Sequence, residues 1–177
     1  MTKVFLDTEV LDDGTTLAPV SLALVTQAAA EYYAVFADCD ISRIMAHPWL
    51  RANVAPHLPV TGSLGGWHWD PGHPDYASVK PRARIAADVQ AFLAQLPSPE
   101  IWAWYSPFDA VVLCQLYGPM SDLPAGFPAF TRDLMQEADR VNADLPQQDP
   151  PVHHALADAR HDLRIAAAIG LIEREPA

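Results

Sequence analysis

The sequence predicts an α/β fold with a mixed five-stranded sheet, an antiparallel meander plus parallel strands, and helices on both faces. Three observations support this class. Half of the 177 residues are hydrophobic, which suits a globular domain with a substantial core. The first third of the chain contains three strand-like segments in succession, as in a meander. The remainder alternates helical and strand-like segments, an order typical of helices packed on both sides of a sheet.

Composition restricts the possible classes of protein. We expect one domain over residues 1–177, and the apolar runs are too short for a transmembrane helix. The strand-like segment that begins at Lys3 leaves no room for a signal or transit peptide, so we expect a cytoplasmic protein. Cys39 and Cys114 lack zinc-type spacing and are predicted to be buried thiols.

The net charge of −11 differs from the basic character of most nucleic-acid-binding proteins. An active site built from carboxylates is nevertheless acidic by construction, and it gains affinity for phosphates once divalent cations occupy it. The charge therefore argues against a long nucleic-acid footprint, but it is compatible with an enzyme that holds a few nucleotides.

The three strands of the meander are predicted at Lys3–Val10, Val20–Thr26 and Tyr32–Phe36, where β-branched and aromatic residues are frequent. The segment from His57 to Lys80 is rich in Pro, Gly, Trp and His and shows no period. We interpret it as a long surface loop.

Helical and strand-like segments alternate in the second half of the chain. Apolar residues recur at helical spacing after Pro81, a residue suited to a first helical turn. Pro146–Pro151 is predicted to be a connector. The predicted elements are a helix from Pro81 to Leu96, a strand at Ile101–Tyr105, a helix at Phe108–Tyr117, a short strand at Phe127–Thr131, a helix at Arg132–Val141 and a last helix at His154–Ile172.

Asp7 and Glu9 stand two residues apart on the predicted first strand, so both carboxylates point to the same face. The strand is otherwise apolar, and two buried anions repel each other and lose hydration. Divalent cations would compensate for this, and oxygen ligands favour magnesium or manganese. The alternative interpretation is a pair of acids at a strand end that reaches solvent.

Asp109 begins a helix directly after a strand, a position where aspartate is also a common helix cap. Asp158 lies in the first turns of the last helix, five residues after His153. A separation of five positions on a helix corresponds to a rotation of about 140°, so His153 must precede the helix if it shares a site with Asp158. His154 is the alternative, because it stands four residues before Asp158 on one helix face.

Together, these residues predict hydrolysis of a phosphodiester with two divalent metal ions, Mg²⁺ or Mn²⁺. Asp7 would bridge both ions, Glu9 and Asp158 would complete one of them, and Asp109 would hold the other. His153 would accept a proton from the attacking water, since an imidazole has an ordinary pKa of about 6.5.

The motifs Asp7-Thr8-Glu9, Phe108-Asp109 and His153 with four residues between it and Asp158 resemble the histidine-containing (DEDDh) branch of the DEDD exonuclease superfamily, on a ribonuclease H-like fold. Longer segments are similar to the polyadenylate-specific 3′-exoribonuclease AS family of bacteria, namely FLDTEV, EYYAVF, EIWAWYSPFDAVVLCQLYGPM, FTRDL and HHALADARHDL. The resemblance implies a homodimer that degrades single-stranded RNA from the 3′ end, prefers adenylate (poly(A)) tails and releases AMP.

Alternatives with the same motif residues remain open: an exonuclease for DNA or short oligonucleotides, and a non-enzymatic RNA-binding dimer of the same fold. The choice between RNA and DNA depends on contacts to the 2′-hydroxyl, which the sequence does not locate. The Gly62–Val79 loop contains Trp67 and Trp69, which either stack on bases or anchor the loop to the surface. His68 and His73 in that loop lack the further ligands of a second metal site.

Overall fold

The computed structural model describes residues 1–63, 65–128 and 130–173. The strands are β1 (Thr2–Asp12), β2 (Leu17–Thr26), β3 (Glu31–Phe36), β4 (Val60–Ser63), β5 (Gly66–Trp69), β6 (Val79–Lys80), β7 (Pro99–Ala103) and β8 (Thr131–Asp133). The helices are α1 (Ile41–Ala46), α2 (Pro48–Asn53), α3 (Arg82–Ala94), α4 (Pro107–Gln115), α5 (Leu134–Val141) and α6 (Ala155–Ala168), with short 3₁₀ helices at Ala55–His57, Pro74–Ser78 and Met120–Asp122.

Within the described residues, six strands form one sheet in the order β6-β3-β2-β1-β7-β8. The first three strands pair antiparallel, as the predicted meander requires. β7 runs parallel to β1, β8 parallel to β7, and β6 parallel to β3. The predicted mixed sheet is confirmed, but it has six strands instead of five. The additional strand is Val79–Lys80, which pairs with the end of β3 and was too short to show a period.

The prediction of a long surface loop from His57 to Lys80 is wrong, because most of this segment forms strands and 3₁₀ helices. β4 and β5 form an antiparallel hairpin, which pairs Val60 with Trp69. Trp67 and Trp69 are half-buried while His68 between them is exposed, the alternation of a strand with one covered face. A four-residue strand is too short for this period to stand out from a Trp- and Gly-rich composition. Leu64 lies outside the described residues.

The remaining elements agree with the predictions in type and differ at their ends. The last sheet strand lies at Thr131–Asp133, later than the predicted Phe127–Thr131, of which Ala129 lies outside the described residues. α5 begins at Leu134 because the Asp133 side chain accepts a hydrogen bond from the Gln136 backbone N–H and caps the helix. α1 and α2, which have six residues each, were not predicted from the sequence.

Helices cover both faces of the sheet, as predicted. Val4 and Leu6 of β1 point to one face and share a core with α3 and α4. Phe5 points to the other face and packs with Ile165 of α6. Ala159 of α6 has no exposed surface, and such a small residue lets the helix lie close to the sheet. By alternation along the strand, Asp7 and Glu9 lie on the same face of β1 as Phe5.

Cys39 and Cys114, predicted to be buried thiols, are free thiols that are half-buried. Across the described part of the chain, no helix combines the length and the apolar character needed to cross a membrane.

Candidate active site

A cleft of about 560 Å³ opens where β1, the connection from β7 to α4 and the start of α6 meet. Its described lining residues include no Lys or Arg. They are Asp7, Thr8, Trp104, Tyr105, Phe108, Asp109, Leu145, Pro146, Gln148, Val152, His153, Asp158, His161, Asp162 and Ile165. A cleft with several carboxylates and no permanent cation repels a phosphate unless metal ions neutralise it.

Asp7 and Glu9 lie on β1, which has hydrogen-bonded neighbours on both sides. Both side chains lie on the same face of β1 as Phe5, which packs against α6. Burial raises the pKa of Glu9 to about 8, with smaller contributions from the charges of Asp158 and Asp109. Burial also raises the pKa of Asp7 well above its ordinary value, followed by the charges of Asp109 and Glu9. The strand-end alternative, in which both acids reach solvent, is wrong for Glu9, which is 7% exposed.

Asp109 lies in the first turn of α4 and is 5% exposed. The N-cap residue of this helix is Ser106, so Asp109 does not occupy the cap position. Its Oδ1 accepts a 2.7 Å hydrogen bond from Thr8 Oγ1. Burial raises the pKa of Asp109 to about 7, and the hydrogen bond from Thr8 opposes this effect. The structure thus directs Asp109 towards β1.

His153 precedes α6, which begins at Ala155, so the prediction that it stands outside the helix is confirmed. Its backbone has a φ of +63° and donates a 3.0 Å hydrogen bond to Asp158 Oδ2. The other oxygen of Asp158 accepts a hydrogen bond from Gln148 Nε2. One ligand atom each from Glu9, His153 and Asp158 lies within 4.8 Å of the other two. The turn before α6 therefore brings an imidazole next to two carboxylates.

His154 does not belong to the described lining of the cleft. Its ring stacks on Tyr33 with 4.8 Å between centroids, and its Nε2 lies 3.4 Å from Asp75 Oδ2. His154 is the N-cap residue of α6, where the backbone is extended. The four-residue spacing to Asp158 therefore does not place both side chains on one helical face.

Several residues that line the cleft were not predicted from the sequence as site residues. Asp162 is 4% exposed and follows Asp158 by one helical turn, a spacing that is visible in the sequence. Tyr105 and Phe108 line the cleft although each is 53% exposed. The hairpin residues Trp67 and His68, by contrast, are not among its described lining residues.

The donor set fits divalent metal ions of the magnesium or manganese type, since it consists of carboxylate oxygens with one imidazole. Asp7, Glu9 and Asp109 have raised pKa values because burial disfavours their charged forms, and no Lys or Arg compensates for them in the described lining. A bound cation would reverse this effect and keep the carboxylates ionised.

Comparison with known proteins identifies a family and relatives that are all described as 3′-5′ exoribonucleases. Residues 69–170 match the family described as the Rv2179c-like 3′-5′ exoribonuclease domain. The chain is 39% identical over 165 residues to the 3′-5′ exoribonuclease Rv2179c of Mycobacterium tuberculosis (strain ATCC 25618 / H37Rv). This alignment covers 92% of this chain and 89% of the relative. A polyadenylate-specific family is not confirmed by these matches.

Solved structures support the ribonuclease H-like fold. E. coli exonuclease I in complex with a 5cy-dA13 oligonucleotide superposes with a TM-score of 0.60 at 13% identity, covering 97% of this chain and 41% of the other. A moderately thermophilic exonuclease I from Methylocaldum szegediense gives a TM-score of 0.58 at 14% identity, with coverage of 99% and 41%. The chain thus spans about two fifths of these exonuclease I chains, and at this identity the likeness concerns the fold alone.

Proposed function

Because the chain belongs to the Rv2179c-like family of 3′-5′ exoribonucleases, we propose that it hydrolyses single-stranded RNA from the 3′ end by two-metal-ion catalysis. The chain is a 3′→5′ exonuclease, which sets aside the non-enzymatic alternative. The proposal includes a single domain over residues 1–177, a cytoplasmic homodimer, a preference for adenylate tails and AMP as product.

One observation carries this proposal. Three separate segments bring the predicted carboxylates Asp7, Asp109 and Asp158 into one cleft, with His153 beside them. Glu9 completes the set through its proximity to His153 and Asp158. A protein that only binds RNA has no need to bury acids together, because each one opposes both folding and phosphate binding.

Asp7, Glu9, Asp109 and Asp158 would hold two divalent cations, Mg²⁺ or Mn²⁺. When bound, such ions lower the pKa of water and stabilise the charge on a leaving oxygen. The protein holds the acids in place through hydrogen bonds from Thr8 to Asp109 and from Gln148 to Asp158. Both donors are neutral, so they orient the carboxylates and leave their charge uncompensated.

His153 is proposed as the general base. Its ring and the Trp49 indole form an edge-to-face contact at a centroid distance of 4.8 Å, and its backbone N–H donates a hydrogen bond to Asp158. These two contacts orient the imidazole at the cleft. A ring nitrogen would take the proton of the attacking water.

Tyr105 and Phe108 support a single-stranded substrate. Both rings border the cleft and are half exposed, so that they offer apolar faces for unpaired bases. Stacking of this kind tolerates any base, so the preference for adenylate rests on the family resemblance.

The proposal is tested with a 5′-labelled single-stranded RNA that carries a 3′ oligo(A) tail, incubated with Mn²⁺. Matched DNA, an oligo(U) tail, the Asp7→Ala variant and the control Asp139→Ala are assayed in parallel; Asp139 is an exposed acid on α5. We expect shortening from the 3′ end that is fastest on oligo(A), persists in Asp139→Ala and is lost in Asp7→Ala.

Equal rates on oligo(A) and oligo(U) would remove the adenylate preference, and equal rates on DNA would favour the alternative of a DNA exonuclease. Full activity of Asp7→Ala would contradict the proposed site. Sedimentation of the same protein would decide between a monomer and the proposed homodimer.

A further inference from the structure

Asp162 lies in the middle of α6, one turn after Asp158, and its side chain borders the cleft. It is 4% exposed. Its Oδ2 is buried and has no hydrogen-bond partner among the described residues. A buried polar atom without a partner is disfavoured, and this holds more strongly for a carboxylate than for a neutral group.

The groups that face Asp162 are mainly other acids. Burial disfavours its ionised form most, and the charges of Asp109, Asp158 and Asp133 add to this effect. A hydrogen bond from the Trp104 backbone N–H favours the ionised form. Asp7 also interacts with Asp162.

The nearby basic groups do not neutralise this acid. Arg160 of the same helix is paired with Glu31, and the Arg164 guanidinium contacts the ring of His161. His161 lines the cleft, but burial and the charge of Arg164 lower its pKa, so it favours the neutral form. The fold therefore buries a fifth acid, beside the four predicted ones, without a partner for one of its oxygens.

We propose that Asp162 is a fifth acidic residue of the cation-binding site. Its charge and its free Oδ2 strengthen the binding of divalent cations at Asp109 and Asp158. This inference rests on the proposed function, because that function supplies the cations. It explains why an acid occupies a buried position where an apolar residue would carry no electrostatic cost.

The rival explanation is a purely structural acid that stays protonated and holds the connection from β7 to α4 through Trp104. Asp162→Asn separates the two roles, because the amide oxygen still accepts a hydrogen bond from the Trp104 N–H while the charge is removed. A cation-binding role predicts that the metal-free variant unfolds at a higher temperature than the wild type and binds Mn²⁺ about tenfold more weakly. A structural role predicts unchanged Mn²⁺ affinity.

The experiment measures Mn²⁺ binding to the full chain without substrate, by electron paramagnetic resonance of the free ion and by thermal unfolding. Wild type, Asp162→Asn, Asp158→Asn and the exposed control Asp139→Asn are compared. We expect Mn²⁺ affinity to fall in Asp162→Asn and Asp158→Asn and to remain unchanged in Asp139→Asn. Asp162→Ser serves as a second neutral variant if Asp162→Asn does not give a cooperative unfolding transition.

The outcomes distinguish the two proposals. Wild-type protein that binds Mn²⁺ as tightly as a neutral Asp162 variant, while Asp158→Asn is impaired, would overturn the role of Asp162 and leave the proposed function intact. Wild-type protein that binds no Mn²⁺ would overturn the metal-dependent mechanism and the inference together.

Discussion

Thr8 Oγ1 donates a 2.7 Å hydrogen bond to Asp109 Oδ1 across 101 positions of sequence. Thr8 lies between two acids on β1 and points to the opposite face, where α4 packs. The tripeptide Asp7-Thr8-Glu9 thus presents two carboxylates to one side of the sheet and orients a third from the other side. The hydroxyl group of Thr8 thus has a structural role, because it donates the hydrogen bond that orients Asp109.

Replacement of Thr8 by Val removes this hydrogen bond at nearly constant volume. We expect a loss of about 1–2 kcal/mol in the free energy of unfolding, because Asp109 keeps its burial and loses a donor. We also expect about a tenfold lower kcat, since Asp109 is no longer held in position. Urea unfolding and single-turnover hydrolysis measure the two effects.

Two control variants accompany Thr8→Val. Thr8→Ser keeps the hydroxyl group and should recover most of the activity. Thr61→Val alters an exposed threonine on the β4–β5 hairpin and should behave as the wild type. If Thr8→Val keeps the stability and kcat of the wild type, the hydrogen bond does not hold Asp109 in position, because that variant keeps a methyl group of Thr8 and loses only the hydroxyl.

Stability of the metal-free protein should decrease as the pH rises. Glu9 has a pKa of about 8 in the folded state against 4.5 in a free chain, and Asp109 has about 7 against 3.8. At a pH between its unfolded-state and folded-state pKa values, each group holds a proton in the folded protein and has lost it in the unfolded chain. The free energy of unfolding therefore falls as the pH rises through this interval. We expect a decrease of up to about 5 kcal/mol from about pH 5 to 7, since each of the two groups contributes up to about 1.4 kcal/mol per pH unit, measured by urea unfolding in the presence of a chelator.

The net charge of −11 also reduces stability as the pH rises, so a control must isolate the two acids. The double variant Glu9→Gln with Asp109→Asn lacks both titrating groups and should show a flatter dependence on pH. Saturation of the wild type with Mn²⁺ should flatten it as well, because the metal holds the acids ionised. A slope that is identical in the wild type and the double variant would contradict the assignment.

Local rules predicted those parts of the site that depend on short-range order. The spacing of Asp7 and Glu9 determines their common face on any strand, and the rotation of a helix required His153 to precede α6. The hydrogen bond between Thr8 and Asp109 depends on how α4 packs against β1, which no local pattern specifies. Asp162 had a visible helical spacing from Asp158, but its burial follows from the way α6 lies on the sheet.

The β4–β5 hairpin should have little influence on hydrolysis of very short substrates. Trp67 and His68 are absent from the described lining of the cleft. His68 is exposed, and exposed substitutions rarely change energies by more than about 0.5 kcal/mol, while the half-buried Trp67 lies on the hairpin outside the described cleft. We therefore expect Trp67→Ala and His68→Ala to change the rate on a trinucleotide by less than about twofold. The same variants are also assayed on a long oligo(A) substrate. A lower rate on the long substrate alone would show that its bases stack on the hairpin.

Substitutions of the two adjacent histidines should have different consequences. His153→Ala should lower kcat by about 10²- to 10⁴-fold, the range for loss of a general base, with only a small change in melting temperature. His154→Ala should lower the melting temperature, since this ring stacks on Tyr33 and contacts Asp75, and the folded fraction should retain its activity. Single-turnover hydrolysis and thermal unfolding of both variants provide the comparison. An inactive but stable His154→Ala together with an active His153→Ala would assign the general base to His154, because only the proton acceptor is needed for chemistry without being needed for folding.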